Sequence, residues 1–413
     1  MRGRLHGLAM ALLLFGFAAG QAQASEGLRL WNERVRISGS ADLGYFGGGA
    51  ESVVANDGFK IWDARLFVDA ELGDALGLGQ STWVRNVGFS FEWNLVRLGR
   101  TANDVGLAYL DLEGLGQSPW FNLRVGRFQI PFGEAYKGYS KGYADRPLLS
   151  TPVGGPWWWD EGLLLHGSAT DAKLGYLASL TNGDTEFNGD ADAGMQATLK
   201  LWTQPCESLY VSLSGLWTDE LGTTEGALWL GEGWARPFGS GVPPSVPSVI
   251  DGGVAAADPD GIGETWALGA DVILTPLEGV RLWLAGGRYA IESDGASLYD
   301  RDLTYWIAEA VVNGDVIAPE LRPFFLALRA DGVTTGDEDR GYLLDVRYTG
   351  GFGYNIEQIT SYAVGIGWHL GEYVTLRTEY SFRDVGLVRG ARAFVPGESG
   401  NEDLYGIAFG IRY

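Results

Sequence analysis

Apolar and polar residues alternate along this chain in runs of about ten positions, and the alternation recurs from Arg34 to the last residue. In one run Trp62, Ala64, Leu66, Val68, Ala70 and Leu72 alternate with Asp63, Arg65, Asp69 and Glu71. In another, Val87, Phe89, Phe91, Trp93 and Leu95 alternate with Asn86, Gly88, Ser90, Glu92 and Asn94. Near the end Val374, Leu376, Thr378, Tyr380 and Phe382 alternate with Thr375, Arg377, Glu379, Ser381 and Arg383, and Tyr405, Ile407, Phe409, Ile411 and Tyr413 close the chain. A period of two over such lengths predicts strands with one apolar and one polar face, the pattern of a membrane-spanning β-barrel. Seventeen segments qualify, from 34–46 to 403–413.

Single-chain bacterial barrels have even strand numbers, with short turns at one end and long loops at the other. The tight links at Thr170–Ala172, Thr275–Glu278 and Gly371–Tyr373 share an end only if one segment between 279 and 374 is not in the wall. The weakest is 341–348. Removing it makes Thr335–Gln358 one long outer loop, with room for a hairpin of its own, and predicts an all-β transmembrane antiparallel barrel of about 16 strands. Glu220–Gly263, rich in Gly, Pro and Ala, reads as a second large outer loop.

Composition agrees. Gly at 63 residues is about twice the usual frequency, aromatics reach 13%, and mean hydropathy is −0.01, as expected when lipid-facing and lumen-facing positions cancel. Arg2 and Arg4, the apolar run Leu8–Ala19 and Ala22-Gln23-Ala24 have the layout of a secretory signal peptide over residues 1–24, leaving 25–413 as a single barrel domain. No later stretch has the roughly 20 apolar residues of a membrane helix. A net charge of −22 argues against nucleic acid as a partner. With one cysteine, Cys206, no intrachain disulfide or Cys-rich metal site can form. Beyond the leader only His166 and His369 could act as a catalytic base, and neither lies near a nucleophile motif, so the chain reads as no enzyme, with no cofactor and no metal site.

The segment 124–162 breaks the pattern. RVGRFQIPFGE ends a strand at Pro131 and Gly133, and a long stretch follows with Lys137, Lys141 and Arg146, then Trp157, Trp158, Trp159, Asp160 and Glu161. Lys137 and Lys141 are two of five lysines in the chain. Lying between the fifth and sixth strands, 131–160 is placed to fold into the lumen and narrow it. Arg124 faces the lumen if Leu123 and Val125 face lipid, and Arg127 then points outward unless Gly126 is a bulge. Three adjacent tryptophans cannot all face lipid, so at least one points into the pore or a subunit contact, and an aromatic track for sugars is an alternative use. Trp62, Trp93, Trp202, Trp266 and Trp306 fit interfacial girdles. Asp160 and Glu161 point to opposite faces if they lie in a strand; in a loop they, like Asp184–Asp192 and Asp337–Asp339, could hold a cation. The lumen is expected to be mixed: Asp42, Asp63, Asp69, Glu71, Asp271 and Glu379 against Arg36, Arg65, Arg329, Arg377 and Arg383. Opposed acidic and basic rows would set up a transverse field with weak ion preference.

Several strings are similar to the phosphate-selective porin O and P family of Gram-negative outer membranes: Asp63-Ala-Arg65-Leu, Ala108-Tyr-Leu-Asp-Leu, RVGRFQIPFGE above all, DEGLLLHG (Asp160–Gly167) and LTNGD (Leu180–Asp184). The resemblance implies a sixteen-stranded porin, a homotrimer in the outer membrane, with a loop folded into the pore and basic residues guiding anions; the expected surroundings are the lipid bilayer and lipopolysaccharide, the latter bridged through divalent ions by the Asp-rich strings. Lys137, Lys141 and Arg146 match the loop positions. The function this implies is passive diffusion of small hydrophilic solutes, among them anions such as phosphate. A sugar-permeable porin and a structural or adhesive barrel are the alternatives.

Overall fold

The computed structural model describes residues 28–31, 34–48, 58–73, 76–77, 83–97, 100–134, 146–150, 152–153, 159–169, 173–183, 194–219, 262–293, 301–336, 348–349, 356–393 and 402–412. Sixteen strands make the wall: β1 Val35–Gly48, β2 Gly58–Glu71, β3 Asn86–Arg97, β4 Arg100–Glu113, β5 Asn122–Gln129, β6 Trp159–Ala169, β7 Leu174–Thr181, β8 Gln196–Cys206, β9 Leu209–Thr218, β10 Ile262–Leu277, β11 Val280–Ser293, β12 Arg301–Asn313, β13 Phe324–Thr334, β14 Ile356–His369, β15 Val374–Leu387 and β16 Glu402–Arg412. Each pairs antiparallel with its sequence neighbours, and β16 closes on β1 from Arg412 opposite Ser40 to Leu404 opposite Gly48. Closure leaves no edge, the condition for strands in a hydrocarbon core. Leu28–Leu30 pairs with Val35–Ile37, extending the seam below the end of β16.

The expected strand count therefore holds. Tyr348–Thr349 lies outside the wall, in a two-residue ladder with Arg392–Ala393 of the next outer link, so it does not make a hairpin within its own loop. The residues 341–347, and most of the loop before β10, lie outside the described residues. The links 170–173, 207–208, 278–279 and 370–373 all fall at the end that carries Val35 and Arg412.

Alternation sorts the faces. On β14 Tyr362, Val364, Ile366 and Trp368 are exposed on the outer wall, while Ser361, Ala363, Gly365 and Gly367 are buried in the interior. The same division holds on β15 and β16. On β2 it fails halfway. Asp42 pairs with Asp63 but Leu43 pairs with Ile61, so Trp62 is an extra residue in a bulge. The bulge reverses the phase above it: Phe59 and Ile61 face out, and Trp62 turns inward to stack on Phe46 at 4.5 Å. Trp62 is thus not a girdle residue. Nor is Trp202, which shares the inner face with Lys200 and stacks on Tyr210. Trp93, Trp266 and Trp306 are exposed on the outer wall as expected.

Candidate functional site

The hairpin β5–β6 leaves the wall before it ends. β5 pairs with β4 only from Leu112–Leu123 to Ala108–Arg127, while its pairing with β6 runs on to Gln129–Trp159. The departure point is Gly126, at φ 126°, where a Cβ would lie 2.3 Å from the Ala108 carbonyl oxygen. Only glycine accepts both that torsion and that approach. Arg127 pairs across the strand with Glu161, 3.6 Å away, and its Nε donates to the Val105 carbonyl.

Beyond Gln129 the chain enters the barrel. Ile130, Pro131, Phe132, Gly133 and Glu134 are all buried. Phe132 packs among Tyr289, Tyr305 and wall residues of β9 to β15 in one apolar cluster. Behind it comes a polar latch. The Glu134 carboxylate takes a 2.6 Å ion pair from Lys200 and a hydrogen bond from Tyr210, and its backbone N–H donates to Asp271. Lys200 also donates to the Gly133 carbonyl, and Gly133 N–H donates to Ser214. Trp283 Nε1 donates to the same oxygen of Asp271, Oδ1, at 2.9 Å.

On its way out the segment touches the opposite wall. Arg377 donates to the carbonyl of Arg146 (2.8 Å) and to Asp42, spanning β16 at Gly410, where any Cβ would strike both side chains. Glu379 accepts from the N–H groups of Leu149 and Ser150. Arg329 grips Ser150 through its carbonyl (3.0 Å) and hydroxyl (2.6 Å) and pairs with Asp331, which accepts from Val153 N–H. The Arg146 side chain is buried within electrostatic reach of Asp42 and Glu309. The in-folded loop is therefore real, and wall carboxylates and guanidiniums hold its backbone.

Other inner-face charges pair locally. Arg65 bonds Asp63 through Nε (2.9 Å) and Glu92 through Nη1 (2.9 Å), with all three side chains sealed from solvent. Opposed rows facing one another across the lumen are not what the described residues form: Arg65, Arg329 and Arg377 each sit beside their acids. Asp160 is buried and accepts from Glu161 N–H (2.7 Å) and Gly183 N–H (2.8 Å), while Glu161 points the other way, so the two do not share a cation. Trp159 packs inward against Phe46, Trp62 and Leu149. Arg124 faces the lumen as expected, but near the short-turn end rather than at the loop, bonded to Asp111 (2.6 Å). Lys137, Lys141, Trp157 and Trp158, with Asp184–Asp192 and Asp337–Asp339, lie outside the described residues.

The sequence reading missed Glu134, Lys200, Ser150 and Asp331 as loop anchors. A lysine among Thr198, Leu199, Leu201 and Trp202 on a wall strand, in a chain with five lysines, was the available signal.

No protein-family model and no curated protein sequence matches this chain. Solved structures do. OmpT, an outer membrane protein of Vibrio cholerae (trimer form), aligns with a TM-score of 0.58 at 11% identity over 92% of this chain and 99% of its own. The anion-selective porin from Comamonas acidovorans aligns at 0.55 and 9% over 92% and 99%, and the outer membrane channel DcaP of Acinetobacter baumannii at 0.54 and 11% over 94% and 100%. At such identities what is shared is the fold, and it is the sixteen-stranded barrel of outer-membrane porins.

Proposed function

We propose that this chain is exported by its leader, residues 1–24, and that residues 25–413 form an outer-membrane diffusion channel for small hydrophilic solutes, with no covalent chemistry. The observation that carries the reading is the segment Ile130–Val153, anchored at both described ends inside a closed barrel. A barrel serving only as an anchor has no use for a polar latch that spends Lys200, Arg329 and Arg377 on holding one loop in the lumen. The shared fold with a named anion-selective porin and a named channel supports the reading, and the trimer form of the Vibrio cholerae protein supports a homotrimer here.

The finer reading is preference for anions such as phosphate. Its support is the resemblance of RVGRFQIPFGE and DEGLLLHG to the phosphate-selective porins, and Lys137, Lys141 and Arg146 on the loop. Local pairing of the lumen charges argues that the bias is weak, because each paired guanidinium presents little net field to a passing ion. Purified protein in planar bilayers tests the channel itself. Discrete ohmic steps are expected, and a protein that inserts without conducting would leave the adhesive barrel as the better account.

A further inference from the structure

Toward the short-turn end, three adjacent strands bring Asp111 (β4), Arg124 (β5) and His166 (β6) together on the inner face. Asp111 and Arg124 are direct cross-strand partners, whereas His166 sits opposite Asn122, two pairs further along, and reaches across β5. Arg124 bonds one carboxylate oxygen of Asp111 through Nη2 (2.6 Å) and Nε (3.1 Å), and His166 Nε2 lies 2.9 Å from the other. The guanidinium carbon lies 4.0 Å over the Tyr109 ring, which fixes its plane. Unlike the latch residues, these groups reach solvent: the side chains of Arg124 and His166 are 24% and 22% exposed.

One carboxylate thus serves two bases. With a neutral imidazole the cluster's formal charge is zero, and with an imidazolium it is +1. Other charged groups on this face include Glu113, hydrogen-bonded to Asn86, Asp69, hydrogen-bonded to Ser90 and opposite Arg36, and Glu71, in one cross-strand row with Gly88 and Asp111; across β6–β7 the partner of His166 is the uncharged Leu177. Those acids set a negative background. That background is unchanged when the imidazole takes a proton, so the change in local charge is positive whatever its starting value.

We propose that Asp111, Arg124 and His166 form a proton-tuned station for the carboxylate or phosphate groups of solutes crossing the short-turn mouth. The inference rests on the channel reading. Histidine is the side chain whose ordinary titration falls between about pH 5 and 8, a window in which ordinary exposed carboxylates stay ionised. A proton taken up by this imidazole adds one cation to a partly desolvated lumen wall, where its field on a passing anion is stronger than in bulk water.

The experiment is the reversal potential of the full-length protein in planar bilayers across a potassium chloride gradient, at about pH 8 and about pH 6. Wild type should shift toward anions on acidification, by about twofold in permeability ratio, and His166→Gln should still give conductance steps but without the shift. His166→Asn serves if the glutamine variant does not fold. Arg124→Gln should lower anion permeability at both pH values and keep the shift. Acetate and inorganic phosphate, compared as the sole anion at the lower pH, tell carboxylate from phosphate preference. A shift that persists in both histidine variants, or is absent from wild type that conducts, overturns this inference alone. Absence of conductance steps at either pH overturns the channel reading with it.

Discussion

Lys200 and Glu134 form a 2.6 Å ion pair with side chains 0% and 3% exposed, joining the middle of β8 to the first turn of the in-folded loop. Tyr210, Asp271 and the Gly133 carbonyl complete the shell around them. The pair is a sealed anchor, so its role is to hold the loop and not to meet solute.

Removing one member of a buried pair strands the other. Lys200→Met is expected to destabilise the barrel by about 3–5 kcal/mol and to raise single-channel conductance as the loop loosens, whereas Lys200→Met combined with Glu134→Met recovers most of the stability. Chemical unfolding in detergent and bilayer conductance check both halves. A single variant as stable as wild type would show that the latch contributes nothing.

Gly126→Ala places a methyl group on the Ala108 carbonyl and the Tyr109 Cα at a torsion alanine avoids. The expected result is loss of folded barrel, read as loss of the heat-modifiable band on electrophoresis, while Gly88→Ala, where a Cβ meets only ordinary contacts, folds. Equal yields of both would refute the strained departure of β5 from the wall.

Leu268 projects outward from the middle of β10 and is 60% exposed. Arginine there should cost about 2–4 kcal/mol in lipid, the depth-dependent penalty for a cation near the bilayer midplane. Unfolding titrations in vesicles measure it. A neutral result would mean that this face is not in hydrocarbon.

Substitution of Lys137, Lys141 and Arg146 together by glutamate should lower anion permeability, seen as a reversal potential moved toward cations. An unchanged potential would remove all three from the selectivity role.

The barrel was legible because lipid and lumen impose opposite demands on alternate residues of every strand, and that demand is written locally. Strand number followed from parity, and the inward placement of Arg65, Arg329, Arg377 and Glu379 followed from phase. The phase itself could slip unseen: Trp62 turns inward because one residue bulges against Asp42 and Leu43, a matter of cross-strand register that no single strand records.

What each inward charge does was decided only by the tertiary structure. Glu379 meets Leu149 from 230 positions away, and Lys200 meets Glu134 only because the loop crosses the lumen. Alternation determines which side of the wall a side chain leaves from. Its partner is set by barrel closure and by the path of the in-folded chain, which bring together residues whose separation in sequence carries no trace of the contact. The stretch after Pro-Phe-Gly could thus be read as a loop for the pore, while its anchoring by buried ion pairs, and the drawing together of Asp111, Arg124 and His166 on three strands, came from the fold.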